Sequence, residues 1–265
     1  MYIHNLSPIL IDFGFLEIRW YSLAYIFGII LGWWLGKKIF RFKIESQNIT
    51  SVNTKDFDDL ITYIILSIII GGRFGYVVFY NLQYYISNPL DVIKIWEGGM
   101  SFHGALIGII IGTYIFSKKK NINTFFFLDI VACVAPIGIF FGRLANFING
   151  ELYGTPSNIF WSVIFPNIDN VARHPSQLYE AIMEGIILFL ILMTLAFNKK
   201  IKIGLCSSIF LIFYGFFRII AEQFREPDIQ IGLIFHVFSV GTLLSIVMIF
   251  FGLFIILKLK KNEKN

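Results

Sequence analysis

Residues 140–154 read Phe140-Phe141-Gly142-Arg143-Leu144-Ala145-Asn146-Phe147-Ile148-Asn149-Gly150-Glu151-Leu152-Tyr153-Gly154. The stretch places an arginine, two asparagines and a glutamate at the end of an apolar span. An arginine on a helix surrounded by hydrocarbon costs roughly 2.5–3.5 kcal/mol on insertion scales, so such groups normally face a protein interior or a watery cavity. The stretch therefore predicts the wall of a polar site that opens at a membrane surface.

The composition of the whole chain is that of an integral membrane protein. Hydrophobic residues make up 57% of the sequence, charged residues 15% and aromatic residues 18%, which lies outside the range of ordinary soluble domains. A span needs ~20 residues to cross ~30 Å of hydrocarbon. We predict an all-α membrane protein of one domain, a bundle of about seven transmembrane helices, with spans near 20–36, 60–80, 100–116, 125–141, 178–197, 203–221 and 235–257.

The two longest connections, residues 81–99 and 142–177, fall on the same side of this topology and form the predicted outer loop domain or arm. Residues 161–166 within the second connection are expected to form a strand or an interfacial arm. Lysines dominate the opposite side, as in the run Lys118, Lys119 and Lys120. Because cytoplasmic loops retain lysine and arginine near span ends, the N-terminus is predicted outside and the C-terminus in the cytoplasm.

The basic residues on the outer side are mostly arginine. A guanidinium is a planar fork that grips phosphate or carboxylate with two hydrogen bonds, whereas lysine is a point charge. Arg73, Arg143 and Arg218 adjoin apolar residues and are interpreted as functional. For Arg19 and Arg173, snorkelling at the interface or simple ion pairing is an equal alternative.

Several function classes find no support in the sequence. The net charge of +5 comes mostly from inner lysines and indicates orientation and attraction to anionic lipid, so no nucleic-acid partner is expected. Cys133 and Cys206 lie far apart in apolar spans, and the four histidines lack metal-ligand spacing. These residues predict no metal site and no redox motif.

Glycines recur at intervals of four residues in three of the spans. Small residues at that spacing let helices approach closely. We interpret them as contacts between spans of the same chain rather than as a dimer interface. The three sets are Gly28, Gly32 and Gly36; Gly104, Gly108 and Gly112; and Gly138 and Gly142.

Polar groups recur in four places on the outer side. His103 starts the third span, and its unperturbed pKa of about 6.5 suits a proton acceptor, although a structural hydrogen bond is the alternative. Arg143 and Asn146 share a helix face, with Glu151 following where that helix ends. The other two places are a segment near residues 174–184, where Glu180 and Glu184 stack on one face, and a stripe of Tyr214, Arg218, Glu222 and Arg225.

Both of these latter groups have a structural interpretation as well. Glu180 lies near a helix N-terminus, where a carboxylate stabilises the helix dipole. Arg218 and Glu222 are spaced to form an ion pair four residues apart. A buried pair of that kind is weak evidence for stability, because desolvation offsets much of its attraction, so its presence inside a span favours a polar site.

Six segments, taken in order along the chain, closely resemble the prolipoprotein diacylglyceryl transferase family. The resemblance covers essentially the full sequence and is highly specific, and the one visible difference is Ala145, where many members carry glycine. In chain order, the matching segments are Trp20-Tyr21 and residues 71–73, 98–104, 142–154, 174–180 and 218–225.

The resemblance implies a transferase of the bacterial cytoplasmic membrane whose site faces the outer leaflet. It would move the diacylglyceryl group of phosphatidylglycerol onto the lipobox cysteine thiol of a prolipoprotein, forming a thioether and releasing glycerol phosphate, as the first step of lipoprotein maturation. The implied partners are phosphatidylglycerol, membrane lipid and a prolipoprotein signal peptide, and no cofactor is needed.

We hypothesise distinct roles for the residues of the site. Arg143 and Arg218 would hold the phosphate and stabilise charge on the leaving oxygen. His103 would accept the thiol proton, unless the arginines lower the thiol pKa enough to make a base unnecessary. Arg143 thus also counts as a substrate-binding residue. Tyr21, Asn146 and Glu151 would orient the glycerol headgroup, and Tyr214 and Glu222 would hold Arg218 in place. Gly154 is a further predicted substrate-binding position.

Two other classes stay open. A transporter or channel for an anionic metabolite would also place arginines in an outward cavity, but the sequence shows no polar path toward the lysine-rich side apart from Asp129. A non-catalytic membrane scaffold would tolerate alanine at Arg143 and His103.

Overall fold

The structure is a computed structural model that describes residues 1–14, 17–227 and 239–261, without the side chains of Glu97, Phe102, His103 and Val240. It is mostly helical, as predicted. The helices are α1 (Trp20–Ser46), α2 (Lys55–Tyr80), α3 (Leu82–Ser87), α4 (Phe102–Lys120), α5 (Thr124–Asn149), α6 (Ser176–Glu180), which continues through a π-helical segment (Ala181–Ile187) into α7 (Leu188–Ala196), α8 (Leu205–Glu222) and α9 (Val240–Lys261).

Each of the seven predicted spans coincides with a described helix, except that residues 235–238 lie outside the described residues. Six helices within the described ranges are long and apolar enough to cross a membrane. The prediction of an all-α, multi-pass membrane protein is therefore confirmed. Helix α4 occupies the position of the third predicted span but is not among the six.

Helix α5 extends beyond the predicted end of its span. Polar residues alone do not end a helix, and α5 continues through Arg143 to Asn149. It stops where Gly150 takes a φ of 68°, a left-handed conformation that glycine adopts without strain and that commonly follows the last helical residue. The part of the predicted outer connection that starts at residue 142 is thus helical for its first two turns.

The chain forms two compact units, one of residues 37–128 and one of residues 1–36 together with the chain from Asp129 onward. The prediction of a single membrane domain stays a prediction. The core of the first unit is a cluster of fully buried phenylalanines whose ring centroids lie 5.2 to 6.1 Å apart: Phe40, Phe57, Phe116, Phe126 and Phe127. Aromatic pairs of this kind contribute roughly 0.5–1.5 kcal/mol beyond the burial of their surface.

Helices α2 and α4 pack against each other through glycine. A Cβ added at Gly75 would lie 2.7 Å from the Cα of Gly104, and one at Gly71 would lie 2.9 Å from the Cα of Gly108. No side chain fits at such distances. The expected close packing between spans of the same chain is confirmed here.

Gly75→Ala is expected to destabilise the protein, because the new methyl group meets the backbone of Gly104 and overpacking costs about 1–3 kcal/mol. The thermal unfolding midpoint in detergent should fall by several degrees. Gly138→Ala is the matched control, since a Cβ there meets nothing within 4 Å. Equal midpoints for the two variants would contradict the packing account.

Arg73 organises the connection between α2 and α4. Its buried guanidinium donates all five of its hydrogen bonds to backbone oxygens: to Val92 at 2.8 Å, Gly98 at 2.5 Å, Gly99 at 3.2 Å, Asp91 at 2.6 Å and Lys94 at 3.1 Å. A guanidinium has five donors, so none is left for a phosphate. The structure gives Arg73 a structural role in place of the predicted functional one.

The second unit also contains short strands. Strand β1 (Tyr2–Ile3) pairs in parallel with β4 (Val163–Ile164), which pairs antiparallel with β5 (Ala172–Arg173). Strands β2 (Ile9–Asp12) and β3 (Glu17–Arg19) form a separate antiparallel pair. Of the two expectations for residues 161–166, the strand is the one observed.

Candidate active site

The site begins with two glutamates on the helical segment that starts at Ser176. Glu180 is the last residue of α6, and Glu184 lies in the π-helical segment that follows. Their side chains are 1% and 0% exposed. π-Helical turns inside longer helices occur frequently at functional sites. Here the π-helical segment accompanies two buried carboxylates that face the same neighbours.

Two arginines from different helices meet at one oxygen of Glu180. Arg143 of α5 places its Nε 2.7 Å from Oε2 of Glu180, and Arg218 of α8 places its Nη1 2.9 Å from the same oxygen. Arg218 also contacts Glu222 at 2.8 Å through Nη2. The predicted Arg218–Glu222 ion pair is therefore present, and the two predicted phosphate-binding arginines converge.

Glu184 completes the network with longer contacts. One of its oxygens lies 3.4 Å from Nη2 of Arg143, and the other lies 3.7 Å from Nη1 of Arg218. Arg225 joins from beyond the end of α8, with Nη1 3.6 Å from Glu180 Oε1. Within the described residues the network thus combines three arginines with three glutamates.

Sequence reasoning did not assign Glu180, Glu184 and Arg225 to the site. The spacing of the two glutamates, four residues apart in an apolar span, indicates a shared polar face. It does not show their arginine partners, which lie on α5 and α8. Arg225 belongs to the same polar stripe as Arg218. A buried ion pair contributes little net stability, and removing one partner leaves an uncompensated charge, so the network indicates a site maintained for function.

Asn146 and Glu151 lie together at the C-terminal end of α5. The amide of Asn146 donates to Oε1 of Glu151 at 2.9 Å, and Asn149 donates to the same oxygen at 3.3 Å. Gln177 donates to the backbone oxygen of Glu151 at 2.6 Å, which ties this corner to the start of α6. The structure therefore brings Asn146 and Glu151 together as expected.

Gly154 is held between two segments of backbone. A Cβ added there would lie 2.5 Å from the backbone oxygen of Phe224 and 2.7 Å from the Cβ of His174. Its N–H donates to the oxygen of His174 at 3.1 Å. This close approach requires glycine, and the predicted substrate contact of Gly154 stays a prediction.

Tyr21 and Tyr214 take different positions relative to the arginines. The ring of Tyr21 packs against Tyr25, with centroids 5.1 Å apart. Tyr214 is buried and stacks on Phe210 at 5.5 Å, and the described contacts include no hydrogen bond from it to Arg218. Of the two residues predicted to hold Arg218 in place, Glu222 contacts it directly. The role of Tyr214 stays a prediction.

The side chain of His103 lies outside the described residues. Its backbone belongs to the first turn of α4. The expected role of His103 as proton acceptor therefore stays a prediction.

Arg173 holds the connection between α5 and α6 together. Its Nη2 lies 2.5 Å from Asp169, and its Nη1 donates to Glu226 at 3.1 Å and to the oxygen of Gly154 at 3.1 Å. The hydrogen bond from Arg173, with another from the backbone of Val171, holds the pKa of Asp169 below its ordinary value. The ion pairing given as a structural interpretation of Arg173 is observed, and a functional role for Arg173 stays a prediction.

Asp169→Asn should weaken the local structure of the connection between α5 and α6 in a pH-dependent way. A carboxyl whose folded pKa is lowered stabilises the fold above its unfolded pKa of about 3.9 and loses that effect as the pH falls through the folded pKa. The variant should exchange the Val171 amide hydrogen faster than the parent protein above about pH 4, and the two should converge in stronger acid. A difference that persists unchanged at low pH would contradict this assignment.

Asp129, the residue that favoured a transport path, has a local role. It is fully buried, and its oxygens accept hydrogen bonds from the backbone of Gly204 at 2.7 Å, the backbone of Ser207 at 2.8 Å and the Ser207 hydroxyl at 2.7 Å. These groups lie at the start of α8, where unpaired N–H groups and the helix dipole favour a carboxylate. The buried carboxylate of Asp129 therefore caps the N-terminal end of α8.

Comparison with known proteins identifies the family of this chain. Residues 8–258 match the family model described as "Prolipoprotein diacylglyceryl transferase". The chain is 50% identical to the phosphatidylglycerol–prolipoprotein diacylglyceryl transferase of Rickettsia typhi over 99% of this chain and 100% of that protein. The protein of the same name from Rickettsia felis is 50% identical over 95% and 96% of the two chains. This chain therefore belongs to the prolipoprotein diacylglyceryl transferase family.

Proposed function

We propose that this protein transfers the diacylglyceryl group of phosphatidylglycerol to the cysteine thiol of a prolipoprotein lipobox. The names of its relatives state both substrates. The observation in the structure that best supports the proposal is the meeting of Arg143 and Arg218 at one carboxylate oxygen. Two guanidiniums that share one anionic oxygen are already placed to share an oxygen of a phosphodiester.

The arginines would act on the leaving group. The thiol loses its proton, the sulfur electron pair forms a bond to the glycerol carbon that carries the phosphate, and the carbon–oxygen bond breaks. Its electron pair leaves on the phosphate oxygen of glycerol phosphate. Fixed positive charge at that oxygen stabilises the transition state more than the ground state. Nη1 of Arg143 has no partner among the described contacts and is available for this interaction.

His103 is the proposed acceptor of the thiol proton, since imidazole takes a proton near neutral pH. The alternative is that the arginines alone lower the thiol pKa. A His103→Gln variant whose rate equals that of the parent protein across the pH range would remove the base role.

The corner formed by Asn146 and Glu151 is the proposed site for the glycerol headgroup, together with Tyr21 and Gly154. Hydroxyl groups suit the amide and carboxylate found there. An apolar cavity of about 450 Å³ is lined by Ile182, Met183 and Ile220 among others, on the same helices as Glu184 and Arg218. Such walls favour a lipid substrate over a water-soluble anion.

We place this site in the outer leaflet of the bacterial cytoplasmic membrane, with the N-terminus outside. The support is the distribution of basic residues. Arg143 and Arg218 lie near the C-terminal ends of α5 and α8, whereas the last turn of α9 carries Lys258, Lys260 and Lys261. A lysine-rich end is the cytoplasmic end by the positive-inside rule.

Incubation of the purified protein with phosphatidylglycerol and a lipobox peptide tests the proposed activity. Mass analysis should show the peptide enlarged by one diacylglyceryl group on sulfur, with an equal amount of glycerol phosphate released. A peptide with serine in place of the cysteine should stay unmodified. Unmodified cysteine peptide, together with uptake of a labelled anion into proteoliposomes, would favour transport instead.

A further inference from the structure

The three glutamates of the arginine network balance its charge. Arg143, Arg218 and Arg225 contribute three positive charges, and Glu180, Glu184 and Glu222 contribute three negative ones. If the arginines served only to attract phosphate, three buried carboxylates among them would weaken that attraction. The geometry of each carboxylate shows which of them positions an arginine and which mainly adds charge.

Glu180 and Glu222 make short contacts that fix the orientation of guanidinium groups. Glu180 lies 2.7 Å from Arg143 and 2.9 Å from Arg218, and Glu222 lies 2.8 Å from Arg218. Glu184 is different, because its contacts with the same two arginines measure 3.4 and 3.7 Å. The first is at the long limit of a hydrogen bond, and the second is beyond it.

Glu184 is nevertheless the most deeply buried of the three, with a side chain that is 0% exposed. Its Oε1, like both oxygens of Glu180 and Oε2 of Glu222, accepts no hydrogen bond from any described residue, and its Oε2 accepts one from Arg143 at 3.4 Å. The closest arginine contact of Glu184 is thus 3.4 Å, against 2.7 Å for Glu180 and 2.8 Å for Glu222. Because its contacts with the arginines are long, what Glu184 supplies to the site is mainly negative charge, in a place where water screens it poorly.

We propose that Glu184 is a specificity-determining residue that keeps the binding of the phosphomonoester product weak relative to the phosphodiester substrate. The proposal rests on the proposed function. A phosphodiester carries one negative charge, whereas glycerol phosphate carries nearly two above its second pKa of about 6. A fixed negative charge beside the phosphate repels the product about twice as strongly as the substrate, which favours release after transfer.

Equilibrium binding to Glu184→Gln tests this directly. The two probes are glycerol phosphate, a dianion at pH 8, and glycerophosphoglycerol, a monoanionic phosphodiester, titrated calorimetrically into the protein in detergent. Removing the charge should tighten binding of both, and should shift the ratio of their dissociation constants by about tenfold or more toward the dianion. Glu184→Asp retains the charge and should keep the ratio of the parent protein.

An unchanged ratio in Glu184→Gln, or the same shift in Glu184→Asp, would overturn the proposal. If thermal unfolding shows that Glu184→Gln does not fold, Glu184→Met removes the same charge with an apolar side chain of similar length and should shift the ratio in the same direction. No shift there would also overturn it. The transfer reaction of the parent protein, run in parallel, separates this outcome from failure of the proposed function, since transfer with an unchanged ratio rejects only the role of Glu184.

Discussion

Arg143→Lys is expected to lower the rate of diacylglyceryl transfer by about a hundredfold or more. The Nε of Arg143 contacts Glu180 while its Nη2 faces Glu184, so the guanidinium is oriented with one nitrogen directed to neither. Lysine retains the positive charge but is a single point and cannot make these contacts together. Removing one group that stabilises developing negative charge typically costs about 10²–10³ in rate.

The measurement is the initial rate of thioether formation with saturating phosphatidylglycerol, for the variant and the parent protein. Arg19→Lys is the control, because Arg19 is an exposed arginine that pairs only with Glu17 in the described contacts, at 2.7 Å. Its rate should equal that of the parent protein. Full activity in Arg143→Lys would show that a positive charge alone suffices. The planar guanidinium and its separate contacts would then not be needed for transfer.

Glu180→Ala is expected to have the largest effect on stability. Glu180 is 1% exposed and contacts three arginines, so its removal leaves positive charges that are buried without their common partner. Breaking a buried ion pair in this way costs about 3–5 kcal/mol. The thermal unfolding midpoint in detergent should fall by several degrees or more, and transfer should be lost as the arginines separate.

Glu17→Ala provides the matched comparison for Glu180→Ala. It removes a glutamate from an exposed pair with Arg19, and such pairs contribute about 0–1 kcal/mol. Its unfolding midpoint should stay close to that of the parent protein. An equally small effect of Glu180→Ala would mean that the arginines are not held together by this carboxylate.

The helices and the arginines of the site were predictable because their signals are local. A run of apolar residues determines a membrane helix wherever its neighbours lie, and an arginine inside such a run must face protein or water. The Arg218–Glu222 pair was likewise predictable, since residues four apart on a helix are neighbours. The network contacts of Glu180 were not, because its arginine partners come from helices α5 and α8 and from Arg225.

Arg73 shows why a similar signal led to a different result. Like Arg143, it stands in an apolar span, and both arginines were interpreted as functional. Arg73 instead binds backbone oxygens of residues 91–99, and the sequence carries no information on where loop carbonyls point. Strand β1 was not predicted, because two residues give no periodic pattern. Its partner β4 also lies some 160 residues away in the sequence.

The central claim is that one phosphate is held by both Arg143 and Arg218. An experimental structure of the protein with phosphatidylglycerol bound tests it most directly, through the distances from the phosphate oxygens to the two guanidinium groups. We expect at least one oxygen within about 3 Å of a nitrogen of each arginine. A phosphate bound away from either arginine, with the Glu180 contacts intact, would contradict the account.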